Sequence, residues 1–365
     1  MTFHLVVDFL LDLLQKSDEY SRLTGDLFHD LTAKTISDIC DSATNVFKNE
    51  EILLNLKGDY IIVGDLHGHF FDLIRILKHF GMPPHVKYIF LGDIVDRGEF
   101  SLYTTISIFA LKCAYPDSIF LIRGNHEFEN INSQSGFNDE IKEIFFSDPN
   151  EATLVFHAVN QTFSYLPIAI ILNDDILCVH GGIGPSFQSI DQINLIARPF
   201  LSIYGGIANS ILWSDPNDNV DTFRPSKRGV GFDYGFKAID AFLSNNNLRL
   251  LVRGHENIAE GVKYSLQNKV ITVFSASNYC GSLNNVSGVL IVSQENGESF
   301  HTFPSLSPYI QRPSKKANIS QNRSNSHRKS FGLSKSSIGS LNQKISISSH
   351  RRVSSGIFPR RINFC

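Results

Sequence analysis

"YIIVGDLHGHFFDLIRIL", residues 60–77, decides the fold. Tyr60 to Val63 form an apolar run that reads as a buried strand. Gly64, Asp65, Leu66, His67, Gly68 and His69 break the run. Apolar residues then return from Phe70 at helical spacing, with Gly81 as a stop and Pro83 and Pro84 just beyond. A strand that ends in a polar tip and feeds a helix is the unit of an α/β protein. The tip sets one carboxylate and two imidazoles between glycines, where the backbone can turn sharply and a small ion can approach.

The unit recurs. "YIFLGD" (88–93) precedes the helical "SLYTTISIFALKCA" (101–114), and "SIFLIRGNHE" (118–127) precedes a helical stretch through Phe146. "DILCVHGG" (175–182), "LRLLVRGHE" (248–256) and "KVITVFSASNYCG" (269–281) are further strand-like runs. The expected fold class is α/β, with sheets covered by helices. Residues 5–56 read as helical, so 1–57 is expected to form an N-terminal helical cap on a core at 58–304.

Charge separates a third region. From Ser305 to Cys365 there are 12 Lys and Arg and no acid, which leaves 21 basic against 36 acidic residues before it, a formal −15. That tail holds 16 serines in 61 residues and few aromatics, a composition too polar to offset the entropy of ordering, so 305–365 is expected to be disordered. Five scattered cysteines without a C-x-x-C pair fit a reducing compartment, cytoplasmic or nuclear. The apolar N-terminal segment is broken by Asp8 and Asp12, and no run approaches the ~18 residues of a membrane span.

Laid side by side, the tips "GDLHG", "GDIVDRG", "RGNHE", "HGG" and "RGHE" supply Asp65, His67, Asp93, Asn125, His126, His180 and His255. Any one of these histidines alone is more often a core or surface residue than a ligand. Five tips of matching chemistry, each closing an apolar strand, are different, because ligands in α/β folds gather where such loops converge. Oxygen and imidazole donors without thiolate suit Mn, Fe or Zn. Seven such groups exceed the needs of one ion and suit a pair ~3.5–4 Å apart, as used for phosphoryl displacement. Asp93 is the natural bridge between them. Arg97 and Arg228 add guanidinium forks for phosphate oxygens.

Those motifs, with "LPIA", "WSDP", "RGVGFDYG" and "FSASNYCG", run in order from about Gly58 to Phe303 and resemble the PPP family of protein serine/threonine phosphatases, most closely its type-1/type-2A group. The resemblance implies a central β-sandwich flanked by helices and two divalent metal ions, Mn and/or Fe, with Zn an option. It implies that Asp65 and His67 bind one metal, that Asp93 bridges, and that Asn125, His180 and His255 bind the other. His126 would be the general acid, oriented by Asp96. Arg97, Arg228 and Asn125 would hold phosphate oxygens, and Tyr279 would stand at the rim. A hydroxide bridging the metals would attack phosphorus directly. Phosphoproteins would be the substrates and regulatory or targeting subunits the partners.

The sequence also departs from that family. His69 stands where the family has Gln, Ser277 where it has Pro, and Ser226 and Lys227 where it has Asn-Asp. Ser133, Ser135 and Asn138 stand where it has an arginine and two tyrosines. None is an expected metal ligand, so His69 is not assigned to the metals and the departures bear on groove shape. Two alternatives stay open: a phosphoesterase for small molecules such as dinucleoside polyphosphates, and a silent phosphoprotein-binding scaffold, which would require a lost ligand or acid. In the tail, "HRKSF" and "RRVSS" set arginines ahead of Ser330 and Ser354, an arrangement basophilic kinases favour. The basic tail could then screen the acidic body until phosphorylated. Its lack of aromatics argues against nucleic-acid binding.

Overall fold

The computed structural model describes residues 2–15, 31–201, 205–307 and 309–311. Two sheets face one another. The first has six strands in the order β1 (Leu53–Leu56), β5 (Ala169–Leu172), β6 (Ile176–Val179), β10 (Leu250–Arg253), β12 (Val270–Val273) and β11 (Val262–Ser265). The second runs β14 (Gly297–Phe303), β13 (Ser287–Ser293), β2 (Tyr60–Val63), β3 (Tyr88–Phe90) and β4 (Ile119–Leu121). The neighbours β2, β3 and β4 are parallel, and β13 closes against β2 antiparallel, Ile62 opposite Leu290. A small third sheet of β7 (Asp215–Pro216), β9 (Phe232–Tyr234) and β8 (Phe223–Pro225) stands apart from these two.

Alternation along β2 explains why the opening stretch is apolar throughout. Tyr60 and Ile62 face the sandwich interior with Leu54, Ile89, Ile170, Cys178, Val252, Ile271 and Leu290. Ile61 and Val63 face outward into a helical layer. A strand buried on both faces has no polar side to show. The helices on that outer face are α1 (Phe3–Gln15), α2 (Ala33–Asn49), α3 (Phe70–Phe80), α4 (Ser101–Ala114), α6 (Phe137–Ile144) and α7 (Pro149–Phe163). The short α5 (Glu129–Asn132) precedes α6. The opposite face is covered by α8 (Ala208–Trp213) and α9 (Phe236–Asn245). Local chemistry sets the helix ends: Thr32 Oγ1 accepts from Thr35 N at 3.1 Å to start α2, and Gly81, at φ 108°, ends α3 where the sequence pattern expects it.

Three expectations need revision. Residues 53–56 are not helical: they form the edge strand β1 beside β5, because their apolar pair Leu53 and Leu54 has one partner on each side of the sheet. The helical stretch expected through Phe146 is broken over residues 133–136, where Gly136 takes φ 126°. The packed domain also continues past Ser305. Leu306 and Ile310 lie against the helical core, and Asn278 Nδ2 donates to Leu306 O at 2.7 Å. Residues 16–30, part of the expected cap, and 312–365, including Ser330 and Ser354, lie outside the described residues.

Candidate active site

Every strand tip singled out in the sequence arrives at one place. Backbone conformation aims the side chains there. His67, Asp93, Asp96, Arg97 and His255 all have φ between 41° and 71°, the left-handed region that costs a residue with a side chain of order 1 kcal/mol or more. Two glycines admit the neighbours. A Cβ on Gly124 would sit 2.2 Å from Asp93 Oδ1, and one on Gly254 would sit 2.3 Å from Asp65 Oδ1.

Asp65 follows β2, and its carboxylate accepts from the His255 amide at 2.8 and 3.1 Å. Asp93 follows β3, with Oδ1 accepting from the His126 amide at 2.9 Å. Its other oxygen lies 3.7 Å from His67 Nε2 and 3.3 Å from His180 Nε2, so Asp93 stands between the two groups of potential ligands. His180 Nε2 also lies 2.8 Å from Asn125 Oδ1 and 3.1 Å from His255 Nδ1. All six expected ligands are at least nine-tenths buried.

This donor set fits divalent cations. His67 Nδ1 donates to Val95 O at 2.8 Å, which fixes its tautomer and leaves its Nε2 lone pair facing the cluster, and His180 Nδ1 donates to Leu91 O at 2.9 Å, which aims its Nε2 at the same place. Two carboxylates buried together need positive charge among them. Burial opposes charge on His180, but Asp93 outweighs it and holds the imidazole protonated up to about 9, a charge that cations would replace. Burial drives His67 down to about 3 and, helped by Arg228, drives His255 well below its ordinary range. Both are therefore neutral, as metal ligation requires.

His126 stands at the edge of the cluster, its ring edge-on to that of His67 at 4.8 Å. Its Nδ1 donates to Asp96 Oδ2 at 2.6 Å, and Asp96 Oδ1 accepts from the Phe137 amide at 3.0 Å. Burial alone would lower the His126 pKa, yet Asp93 and the Asp96 hydrogen bond raise it above 6.5. This histidine can hold a proton near neutral pH and pass it on.

The arginines differ in setting. The Arg97 amide donates to Ser135 O at 3.2 Å. Arg228 is exposed, its Nε donating to Asp215 Oδ2 at 2.6 Å. The Tyr279 ring is tilted against that of His67, at 5.3 Å between ring centres. His69 does not join the cluster. Its Nδ1 donates to the carbonyls of Leu66 and His67 at 3.1 and 2.9 Å at the start of α3, so the tip holds two inward residues and one helix-entry residue.

Sequence reasoning passed over the supports. Glu127, fully buried, accepts from the amides of Asp93, Ile94 and Gly124 at 2.8, 2.9 and 2.8 Å, and so shapes two tips at once. Asp215 holds both Arg228 and the buried Arg253. The signal for both was present, in the last letter of "RGNHE" and the third of "WSDP".

With this geometry in view, comparison with known proteins is decisive. A family profile described as calcineurin-like phosphoesterase matches residues 59–258. The chain belongs to the calcineurin-like phosphoesterase family. A serine/threonine-protein phosphatase from Arabidopsis thaliana, BSL2, is 41% identical over 275 residues, 73% of this chain and 27% of that protein. The chain thus spans about a quarter of that relative's length. A solved protein serine/threonine phosphatase from Saccharomyces cerevisiae, described as similar to human PP5, superposes with a TM-score of 0.72 at 32% identity, covering 80% of this chain and 97% of that one. Among calcineurin-like phosphoesterases this one belongs with the PPP-type serine/threonine phosphatases. A cold-active protein tyrosine phosphatase, 17% identical with a TM-score of 0.51 over 72% of this chain and 83% of its own, shares the fold alone. No helix among the described residues is long and apolar enough to cross a membrane.

Proposed function

We propose that this phosphoesterase hydrolyses phosphoserine and phosphothreonine monoesters in proteins. The observation that carries the reading is the His126–Asp96 pair, 2.6 Å apart, beside a buried cluster of six metal-competent side chains. Two divalent cations, Mn and/or Fe or alternatively Zn, would supply an acidified water as nucleophile and neutralise charge on phosphate. Asp65 and His67 would hold one, Asn125, His180 and His255 the other, with Asp93 shared.

The protein's own residues do the rest. Arg97 and Arg228 bind the equatorial phosphate oxygens, and Asn125 adds a donor. His126, kept protonated by Asp93 and Asp96, gives its proton from Nε2 to the departing serine or threonine oxygen, so that a neutral hydroxyl leaves. Tyr279 walls the cleft. Regulatory or targeting subunits are proposed partners, and the four free cysteines of the described residues support a proposed cytoplasmic or nuclear setting.

The test is hydrolysis of a phosphoserine peptide and a dinucleoside tetraphosphate in parallel, after chelation and with Mn restored. The expected result is Mn-dependent release of phosphate from the peptide alone, falling by about 10²–10⁴ in His126→Asn. Turnover of only the dinucleotide would move the substrate to small molecules. No turnover of either would overturn the enzyme reading.

A further inference from the structure

The residues following β14 do not simply leave the domain. The Arg75 guanidinium, on α3, donates to Pro304 O at 2.7 Å, and its ring-facing side lies over Phe303. The Leu306 amide donates to Ser277 Oγ at 3.2 Å, while Asn278 Nδ2 donates to Leu306 O at 2.7 Å. Tyr309 then lies against Gly281, where an added Cβ would meet its ring at 3.1 Å, and stands edge-on to His69 at 5.8 Å. Residues 304–307 and 309–311 therefore form a strap across the loop that carries Tyr279.

Ser277 is the junction. Its amide donates to Asp72 Oδ2 at 2.8 Å, tying the loop to α3. Its hydroxyl accepts from Leu306 N and from Arg75 Nη2, the latter at 3.2 Å. Arg75 in turn pairs with Asp72. The side chain is buried, at 1% exposure, so no water competes for these bonds. A proline, found here in the family that the sequence resembles, has neither an N–H nor a hydroxyl and could make none of them. The far end of the loop has its own clamp: Asn285 Oδ1 accepts from the Tyr279 amide at 2.9 Å, and its Nδ2 donates to Ala276 O at 2.8 Å. Between these ties, Ser282, Leu283 and Asn284 are exposed.

We propose that Ser277 is a positioning residue, which couples this strap, through Leu306, to the Tyr279 loop and so sets how a phosphopeptide seats against the rim. This rests on the phosphatase reading for its substrate, but the coupling itself does not. The chemistry at the cluster floor is held by Glu127, Asp96 and the strand tips; of these the strap meets only the helix-entry residue His69, which is not an expected ligand. Loss of the junction should therefore weaken peptide binding and spare the chemical step.

The experiment compares full-length wild type with Ser277→Ala, Ser277→Thr and Tyr309→Ala. Hydrogen exchange reads the amides of residues 279–285. Steady-state kinetics read a phosphoserine peptide and p-nitrophenyl phosphate, both with Mn. In Ser277→Ala and Tyr309→Ala, loop exchange is expected to quicken about fivefold and KM for the peptide to rise about fivefold, as loss of the two hydroxyl hydrogen bonds or of a packing contact implies. Turnover of p-nitrophenyl phosphate should stay within about twofold of wild type, and Ser277→Thr, which keeps the amide and hydroxyl, should restore both readouts. Unchanged loop exchange in both variants, or faster exchange with an unchanged peptide KM, would overturn the proposal. If wild type turns over neither substrate, the phosphatase reading falls with the seating role, and loop exchange alone still decides the coupling.

Discussion

The floor of the cleft and its rim are built by different means. On the floor, Asp65, His67, Asp93, Asn125, His180 and His255 are all buried, and backbone groups of neighbouring tips fix Asp65, Asp93 and His180. At the rim, Arg228 is exposed and depends on Asp215, and the Tyr279 loop depends on Ser277 and Asn285. The floor tolerates strained backbone at five positions because several elements over-determine it. The rim has fewer constraints, and apart from His69 none of the departures from the PPP pattern (Ser133, Ser135, Asn138, Ser226, Lys227 and Ser277) lies in a tip that carries an expected ligand. On the function proposed above, reaction type and substrate choice are encoded in separable parts of the molecule.

Three substitutions probe that separation, from strongest to weakest. Asp96→Asn strikes the floor at the proton donor and should lower peptide turnover about 100-fold, with KM little changed. The pH profile adds a sign. His126 has a pKa raised above its ordinary value, so its charged form, and with it activity, is lost as pH rises through that raised value. Without the Asp96 carboxylate, the alkaline fall should move to lower pH; a profile that does not move would separate Asp96 from proton donation.

Glu127→Gln should act one layer further out. It weakens the bonds to three tip amides while leaving every ligand in place, and Mn affinity by titration calorimetry is expected to fall about 10- to 100-fold. Unaltered affinity would mean that the tips hold their shape unaided. Arg228→Lys, at the rim, should raise peptide KM only about fivefold while kcat holds, because a lysine keeps the charge but loses the fork shared with Asp215. A kcat loss as large as that of Asp96→Asn would erase the distinction between rim and floor.

Legibility in the sequence follows the same division. The tips could be read because each sets a ligand-type residue beside glycine at the end of an apolar run, and buried strands leave little freedom in where such a tip points. All of the expected ligands converge. The supports were harder to see, since Glu127 and Asp215 act through backbone amides and arginines far away in the chain, and a sequence shows no such distance. β1 was missed because four residues are too few for periodicity to separate strand from helix. The strap was missed because composition averaged over 61 residues hid the short apolar start around Leu306, Tyr309 and Ile310.

One feature of the sandwich bears on how the protein comes into being. β2, which leads to Asp65 and His67, is closed on its other side by β13, so residues 60–63 wait for residues 289–292. The ligands themselves span Asp65 to His255. Pairings this distant are slow to form, since a long loop must close before any contact rewards it. During synthesis, most of the chain must emerge before the central strand has both neighbours. An apolar edge stays open until then, which makes early fragments prone to aggregate and unable to assemble the full ligand set. The candidate metal cluster is therefore among the last features the nascent chain completes, and a product truncated before Leu250 lacks His255.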